Sequence, residues 1–515
     1  MTPEIQGLLE AYVAVRPALF PVLPAAILAV LGLAALVVDV FELGRTRGPA
    51  EDEAGTPIMA PYVALVAVTA ALGAVIWQGL RLPAAGGSYF NGMIVLDGFG
   101  VFLSAVILTG TLLTLLLTIG YCRRHDIHLA EYYHLILMTA IGMLIMVQAS
   151  NMIMIFVGLE LMSIGVYVLT GFRRTRLRAI EGALKYFVLG AFSTGFFLYG
   201  IALVYGATGT LDLTGIRDAV ASPPAGPALL AGVGLLIVGF GFKVALVPFH
   251  MWSPDVYEGA PAPITGFMAT GVKAAGFAAF VRVFMSTFDG LADQWVPALW
   301  ALAVLTMFVG NIAAIRQDDI KRMLAYSSIA HAGYLLVAMV AHSDLGTSAF
   351  LFYLAAYTLM TLGAFGIVIV MGEKGTENTS IRRDYAGIAW RHPLLAAAMA
   401  LFMFSLTGIP PTAGFVGKFT ILSAAVRAGH VPLAVLLVLA SVISAYSYLK
   451  VVVSMYMWSS DRPPIPARVG AMAAIALLAA VVGVLGLGMF PGEWVELART
   501  AAAPGAPLGL SPPVP

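Results

Sequence analysis

The sequence predicts an all-α integral membrane protein of about fourteen transmembrane helices, with two inverted five-helix repeats and breaks in helices 7 and 12. Three observations carry this reading. Hydrophobic residues make up 60% of the chain and charged residues 11%, where soluble chains carry about a quarter charged residues. Apolar runs of about 18 residues or more recur along the whole length, and each can cross a hydrocarbon core roughly 30 Å thick. Finally, Lys and Arg crowd into alternate connections between those runs.

The first three runs, near 18–41, 59–79 and 98–121, form an N-terminal block (1–130). The first is too long for a secretory signal and lacks a basic lead and a small-residue cleavage site, so it reads as a retained span. Runs near 132–150, 152–171, 181–206, 228–252 and 262–287 make a first unit of five helices (131–290). Runs near 295–315, 321–341, 346–371, 393–425 and 431–457 make a second (291–460), and the long stretch 393–425 is open to being split. A last run near 467–490 leads into a tail rich in Ala, Pro and Gly (461–515 together), expected to be loosely ordered after about 491.

The two units resemble each other. Span 5 contains Ser163-Ile164-Gly165-Val166-Tyr167, and span 10 contains Ser328-Ile329-Ala330-His331-Ala332-Gly333-Tyr334. Span 7 carries Gly241-Phe242-Lys243 beside Pro248; span 12 carries Gly414-Phe415-Val416-Gly417-Lys418 beside Pro410 and Pro411. Both matches are five spans apart, and an odd offset inverts the second copy in the membrane, which is a transporter architecture. The prolines predict broken helices. Pro248 cannot donate to the carbonyl of Val244, and Pro410 and Pro411 free those of Leu406 and Thr407. In lipid such groups must be satisfied by protein or water.

Charge placement sets the orientation. One set of connections holds Arg45, Arg47, Arg123, Arg124, Arg173, Arg174, Arg176, Arg178, Arg316, Lys321, Arg322, Lys374, Arg382, Arg383, Arg391, Arg462 and Arg468; the other holds little beyond Arg81, Arg217 and Arg427. The positive-inside bias makes the rich side cytoplasmic and puts both termini outside, in a bacterial inner membrane. A single cysteine, Cys122, excludes an intramolecular disulfide and weighs against a Cys-built metal site. The net charge of +1, with no long basic run, gives no sign of nucleic-acid binding.

Lysines inside the spans carry the chemistry. Lys243, Lys273 and Lys418 lie within apolar runs, whereas the arginines lie almost wholly in loops, Arg282 being the main exception. Guanidinium keeps its charge, but a lysine in a low-dielectric site can give up its proton. At 1.5 Å per residue, Lys243, Lys273 and Glu160 fall near mid-membrane, and Lys418 lies two turns past Pro411. A buried charge is expensive and is usually paired or functional. Glu160 and Lys243 can pair, either as a static clip or as a switch; no second deeply buried carboxylate stands out for Lys273 and Lys418. His250, after the break in span 7, and His331, mid-span, are either proton relays or satisfied interior histidines. Lys185, near the start of span 6, either snorkels or assists. Asp255 and Glu258, in the turn between spans 7 and 8, are a proton entry or a solvated loop.

The runs Gly158-Leu159-Glu160-Leu161-Met162-Ser163, Phe242-Lys243-Val244-Ala245-Leu246-Val247-Pro248-Phe249-His250-Met251-Trp252, Asp319-Ile320-Lys321-Arg322-Met323-Leu324-Ala325-Tyr326-Ser327-Ser328 and Gly408-Ile409-Pro410-Pro411-Thr412-Ala413-Gly414-Phe415 resemble the antiporter-like subunits of respiratory complex I. The resemblance covers roughly residues 90–460. Lysine at position 418, and an end shortly after span 14, are most similar to the member nearest the quinone-binding module. The resemblance implies that Glu160, Lys243, Lys273 and Lys418 are proton-relay residues, with Lys185, His250 and His331 auxiliary. It also implies partners: a second antiporter-like subunit, the quinone-module membrane subunits and the lipid bilayer. NADH, FMN, iron–sulfur clusters and quinone are expected in those partner subunits, with no cofactor in this chain. Competing readings are a subunit of a multisubunit cation/proton antiporter or membrane-bound hydrogenase, and a structural membrane scaffold.

The orientation is testable directly. Reporter fusions after Arg178 and Arg391 should be cytoplasmic, and fusions at Arg217 and Pro515 external. A cytoplasmic C-terminus would sink the assignment.

Overall fold

A computed structural model describes residues 3–46, 59–82, 86–127, 129–221, 226–459, 467 and 469–503. Arg47, Arg462 and Arg468 lie outside these described residues, as does the end of the tail beyond 503; of Arg45 only the backbone is described. The helices are α1 (Pro3–Thr46), α2 (Ala60–Leu80), α3 (Gly98–Arg124), α4 (Ala130–Gln148), α5 (Met152–Thr170), α6 (Leu177–Thr208), α7 (Leu213–Val220), α8 (Pro227–Lys243) and α9 (Trp252–Gly259). After them come α10 (Ala262–Thr287) and then α11 (Ala292–Ile315), α12 (Ile320–Val340), α13 (Asp344–Met371), α14 (Pro393–Thr407), α15 (Ala413–Arg427), α16 (Val431–Met457), α17 (Ala471–Met489) and α18 (Pro491–Ala502).

Twelve of the predicted spans are single helices long and apolar enough to cross a membrane. The other two positions, 7 and 12, hold interrupted segments: α8, which stops at Lys243 before α9, and the pair α14 and α15, divided at 408–412. Helix α7 and a small hairpin, Gly87–Tyr89 antiparallel to Ile94–Leu96, occupy connections that the sequence reading left as loops. The tail departs from expectation too. Pro491 starts a helix, a position where its missing N–H costs nothing, and α18 buries Ala498 and Ala501 while packing on α13 and α3.

Polar caps mark where the helices begin. Asp97 accepts from Gly100 N, Asn151 from Ile153 N, Asp319 from Arg322 N and Ser343 from Gly346 N, at the starts of α3, α5, α12 and α13. Each side chain satisfies one N–H that the first helical turn leaves open. In hydrocarbon there is no hydrophobic force between helices, so close packing of small residues joins them. The α4–α5 pair crosses at Gly142, where a Cβ would stand 2.5 Å from Met162 N. The α11–α12 pair crosses at Gly310, where it would stand 2.7 Å from Ala330 N. The α4–α5 and α11–α12 pairs therefore meet in the same way.

Helices α10, α12 and α13 form the buried centre, while α1, α6, α16 and α17 turn most of their apolar surface outwards. The basic connections gather at one end: Arg173, Lys321, Ala262 and the 372–380 loop all approach Glu377. Connections of the opposite set gather at the other end. There Arg282 forms a two-point pair with Asp97 (2.8 and 3.0 Å), and residues from 97–99, 281–289, 342–347 and 501–503 line one cavity of about 300 Å³. The alternation of charge in the sequence thus corresponds to two ends of one bundle.

Candidate functional site

The first break is built by the backbone after Lys243. Helix α8 stops there, Ala245 adopts a left-handed φ of 61°, and the chain re-forms as α9 from Trp252. Groups freed by the break find partners nearby: Trp252 Nε1 donates to Phe242 O (3.0 Å), and Val247 N donates to Thr306 Oγ1 on α11 (3.0 Å). This is the internal satisfaction that a non-helical segment needs at membrane depth.

Lys243 is buried, and its Nζ donates to Ser163 Oγ on α5 at 2.7 Å. The ammonium also lies 5.8 and 5.7 Å from the ring centres of Tyr167 and Tyr186, within cation–π range. Glu160 sits one turn before Ser163, but it accepts from Thr194 Oγ1 (2.9 Å) rather than from the lysine. Ser163 therefore stands where the sequence reading placed a possible direct ion pair. A cavity of about 10 Å³ joins Ser163, Ser193, Thr194 and Lys243, about the volume that one water molecule requires.

Lys273 follows directly on a π-helical turn, Met268–Val272, inside the buried α10. Its Nζ donates to both Ser328 O (2.6 Å) and Ser328 Oγ (2.5 Å) on α12. The stem of Lys243 packs on the same helix at Gly276, where a Cβ would stand 3.5 Å from Lys243 Cγ and 3.0 Å from Val244 Cγ1. Glycine at 276 lets the broken end of α8 approach α10 this closely.

His331, one turn beyond Ser328, is fully buried. Its Nδ1 pairs with Tyr353 Oη (2.5 Å) and its Nε2 with Tyr448 Oη (3.0 Å), while Tyr448 Oη is also hydrogen-bonded to Ser327 Oγ. Both Lys273 and Lys418 are close enough to His331 to act on it electrostatically. Lys418, on α15, donates to Leu406 O (3.0 Å) and Thr407 O (2.9 Å). These are the carbonyls that the proline pair was expected to free. Its Nζ also lies 4.7 Å from the Tyr334 ring centre, and Tyr334 Oη accepts from Asn311 (3.0 Å). The sequence-predicted groups thus make a polar line of half-buried Glu160 and buried Lys243, Lys273, His331 and Lys418.

The remaining predicted residues lie apart from this line. Lys185 is half-exposed and pairs with Asp255 (2.8 Å) and Glu181 (2.6 Å). Asp255 and Glu258 also bind Arg322 at 2.8 and 2.9 Å. Burial alone would raise the Asp255 carboxyl, but Lys185 and Arg322 hold it below the usual carboxylate range. His250 is half-buried in the break, and its Nδ1 has no hydrogen-bond partner.

One cluster escaped the sequence reading. Lys321, counted there among loop cations, is fully buried and donates to Glu377 Oε2 (2.6 Å), Ala260 O and Glu258 O. Glu377 also accepts from Tyr121 Oη (2.5 Å) and from Ala262 N (3.3 Å). Burial pushes the Glu377 carboxyl up; Lys321 outweighs it and keeps the group below its ordinary value. The available signal was the Asp319-Ile320-Lys321-Arg322 run, which puts two cations at a capped helix start where only one can face solvent.

Residues 149–444 match the family described as NADH:quinone oxidoreductase/Mrp antiporter, transmembrane. The chain belongs to that family. The matched segment contains Glu160, Lys243, Lys273, His331 and Lys418. Among its relatives, the NADH-quinone oxidoreductase subunit N of Trichlorobacter lovleyi is 45% identical over 485 residues, covering 93% of this chain and 96% of the relative. The subunit N of Rhodospirillum rubrum is 40% identical, covering 94% and 96%. Among solved structures, a chain of respiratory complex I from Thermus thermophilus with bound aureothin is 36% identical, with a TM-score of 0.77 over 92% of this chain and 99% of that one. A chain of an archaeal membrane-bound sulfane sulfur reductase is 25% identical, with a TM-score of 0.81 over 94% and 98%.

The buried ion pair gives a stability test. Removing one partner of a buried pair costs about 3–5 kcal/mol, because the other charge is left uncompensated. Glu377→Ala should therefore sharply reduce the amount of assembled protein in native gels. Lys321→Met with Glu377→Leu should recover most of it. An unchanged level for Glu377→Ala alone would mean that Lys321 finds its acceptors in the Glu258 and Ala260 carbonyls without the carboxylate.

Proposed function

We propose that the chain is the proton-translocating subunit N of a bacterial NADH:quinone oxidoreductase, relaying protons through its midplane lysines while partner subunits reduce quinone. Supporting this are curated relatives of that name at 40–45% identity over nearly the whole length. The observation that carries the mechanism is the company the lysines keep. Among the described residues, Lys243, Lys273 and Lys418 meet only hydroxyls, carbonyls and aromatic faces within ion-pair distance. A static clip would be built with a carboxylate. Amines held by neutral oxygens suit a cycle in which each is charged for part of the time.

In this reading α8 with the broken segment up to residue 252, and α14 with α15, count as single crossings, giving fourteen, of which ten lie in two inverted units (131–290 and 291–460). The basic end faces the cytoplasm and both termini lie outside. NADH, FMN, iron–sulfur clusters and quinone belong to partner subunits, among them a second antiporter-like subunit and the quinone-module membrane subunits. The second reading, a cation/proton antiporter subunit, draws on likeness to a chain of the Mrp complex from Dietzia at 21% identity and a TM-score of 0.80, a likeness of fold alone. Copurification distinguishes them: flavin and iron–sulfur proteins that oxidise NADH should accompany the tagged chain.

Glu160 would control Lys243 across Ser163. A carboxylate within about 4–6 Å favours the ammonium, and withdrawing it lets the proton leave towards Lys273. The push works against about 2.3 kcal/mol per charge per 100 mV. One pKa unit corresponds to about 1.4 kcal/mol, so a swing of a few units has the right scale.

Two measurements of proton pumping in the assembled complex check this. Ala at Lys273 or Lys418 should depress pumping and coupled turnover with assembly largely intact. Arg should substitute poorly because it cannot release its proton; wild-type pumping by both Lys→Arg variants would point to a fixed-charge role. Separately, Glu160→Gln, Lys243→Met and their combination should all be impaired. Normal pumping by the double variant would reduce the pair to a fastening between helices.

A further inference from the structure

We propose that Ser163 and Ser328 are positioning residues, each holding one lysine amine in place whether or not that amine carries its extra proton. The proposal rests on the reading of Lys243 and Lys273 as proton carriers, and adds the groups that make carrying possible. Each serine lies on the second helix of a glycine-crossed pair, in a different register: Ser163 one residue after the crossing contact at Met162 N, Ser328 two residues before that at Ala330 N. Each receives a different lysine: Lys243 Nζ on Ser163 Oγ at 2.7 Å, and Lys273 Nζ on Ser328 Oγ at 2.5 Å. Both hydroxyls are buried. Two helices that are crossed in the same way thus each offer a serine hydroxyl to a lysine amine.

The chemistry favours serine for this task. An ammonium has only donors, and a neutral amine also carries a lone pair that wants a donor. A carboxylate serves the first state strongly and the second poorly, so it pins the proton. A backbone carbonyl cannot donate at all. A hydroxyl accepts from the ammonium and, by rotating, donates to the free amine. Ser163 has the means to do so: its hydroxyl now donates to Leu159 O, leaving a lone pair for Lys243. Turning that O–H from Leu159 to the lysine would follow proton loss with no change of helix position. Ser328 faces Lys273 with its own carbonyl as well, at 2.6 Å, so the ammonium has two acceptors there and the amine one donor.

The other groups around these sites bear on any titration. Around Lys243 stand Glu160 and Tyr167 on α5 and Tyr186 on α6. Near Ser328 and Lys273 stand Tyr257 on α9, His331 on α12 and Tyr357 on α13, with Lys243 across Gly276. None of these replaces a serine hydroxyl at the two amines among the described hydrogen bonds.

The test uses the intact complex in inverted membrane vesicles, with NADH as donor and a ΔpH-sensitive dye reporting proton uptake. Its variants are Ser163→Ala, Ser163→Thr, Ser328→Ala and Ser328→Thr, with Lys273→Met as control and native gels reporting assembly. Each Ala variant should assemble and lose proton uptake per NADH by on the order of tenfold, the cost of a hydrogen bond to a charged group. The alkaline limb of its pumping–pH profile should move down by on the order of one pH unit, because the charged form loses more than the neutral one. Thr, which keeps the hydroxyl, should restore both. Wild-type uptake and profile in both Ala variants, with Lys273→Met inactive, would overturn the positioning role and leave the lysine relay standing. Equal impairment of Ala and Thr with an unmoved pH profile would overturn it in favour of helix packing. Normal pumping by Lys273→Met would overturn the relay reading itself.

Discussion

An ammonium group in hydrocarbon has three N–H bonds and no water to give them to. The architecture follows from supplying those bonds from within the chain. Lys243 and Lys273 find serine oxygens on neighbouring helices, and Lys418 finds two main-chain carbonyls. Lys273 also takes the carbonyl of Ser328 within an unbroken helix. For Lys418 the supply comes from a break: the carbonyls of Leu406 and Thr407 find no N–H four residues on, because those positions are Pro410 and Pro411. There, breaking the helix and burying the lysine are one structural decision.

The electrostatics divide along the bundle. At the basic end, charges meet charges: Lys321 with Glu377, Arg322 with Asp255 and Glu258, Lys185 with Asp255. These pairs join the ends of α6, α9 and α12 and the 372–380 segment. In the middle, the charged groups meet dipoles and rings instead, and Glu160 is given to Thr194. At the other end Arg282 pairs with Asp97, so charge–charge pairs occupy the two ends and the buried lysines between them meet neutral partners.

Much of this was legible in the sequence, and the reason is the same in each case. Hydropathy, proline chemistry and residue counting at 1.5 Å per residue are local properties. They placed twelve apolar helices, the breaks near Pro248 and at Pro410 and Pro411, lysines that prove buried, and even the freed carbonyls of Leu406 and Thr407. What stayed hidden depends on which distant groups meet. Ser163 is an ordinary small residue until α8 delivers Lys243 to it. Lys321 looks like a loop cation until the 372–380 segment folds over it and brings Glu377. The C-terminal helix was missed because composition alone cannot distinguish an Ala- and Pro-rich tail from a helix that starts on Pro491 and buries Ala498 and Ala501 against α13 and α3.

The union of Lys418 with the carbonyls of Leu406 and Thr407 has a consequence for how such a site can change over generations. Replacing the lysine by an apolar residue strands two acceptors in a water-poor interior; restoring a helix-forming residue in place of the prolines evicts the amine from its partners. A glutamate at 418 could serve the carbonyls only in its protonated form, since an ionised carboxylate has nothing to donate. Each single step leaves buried polar groups without partners, so the lysine and its break depend on each other.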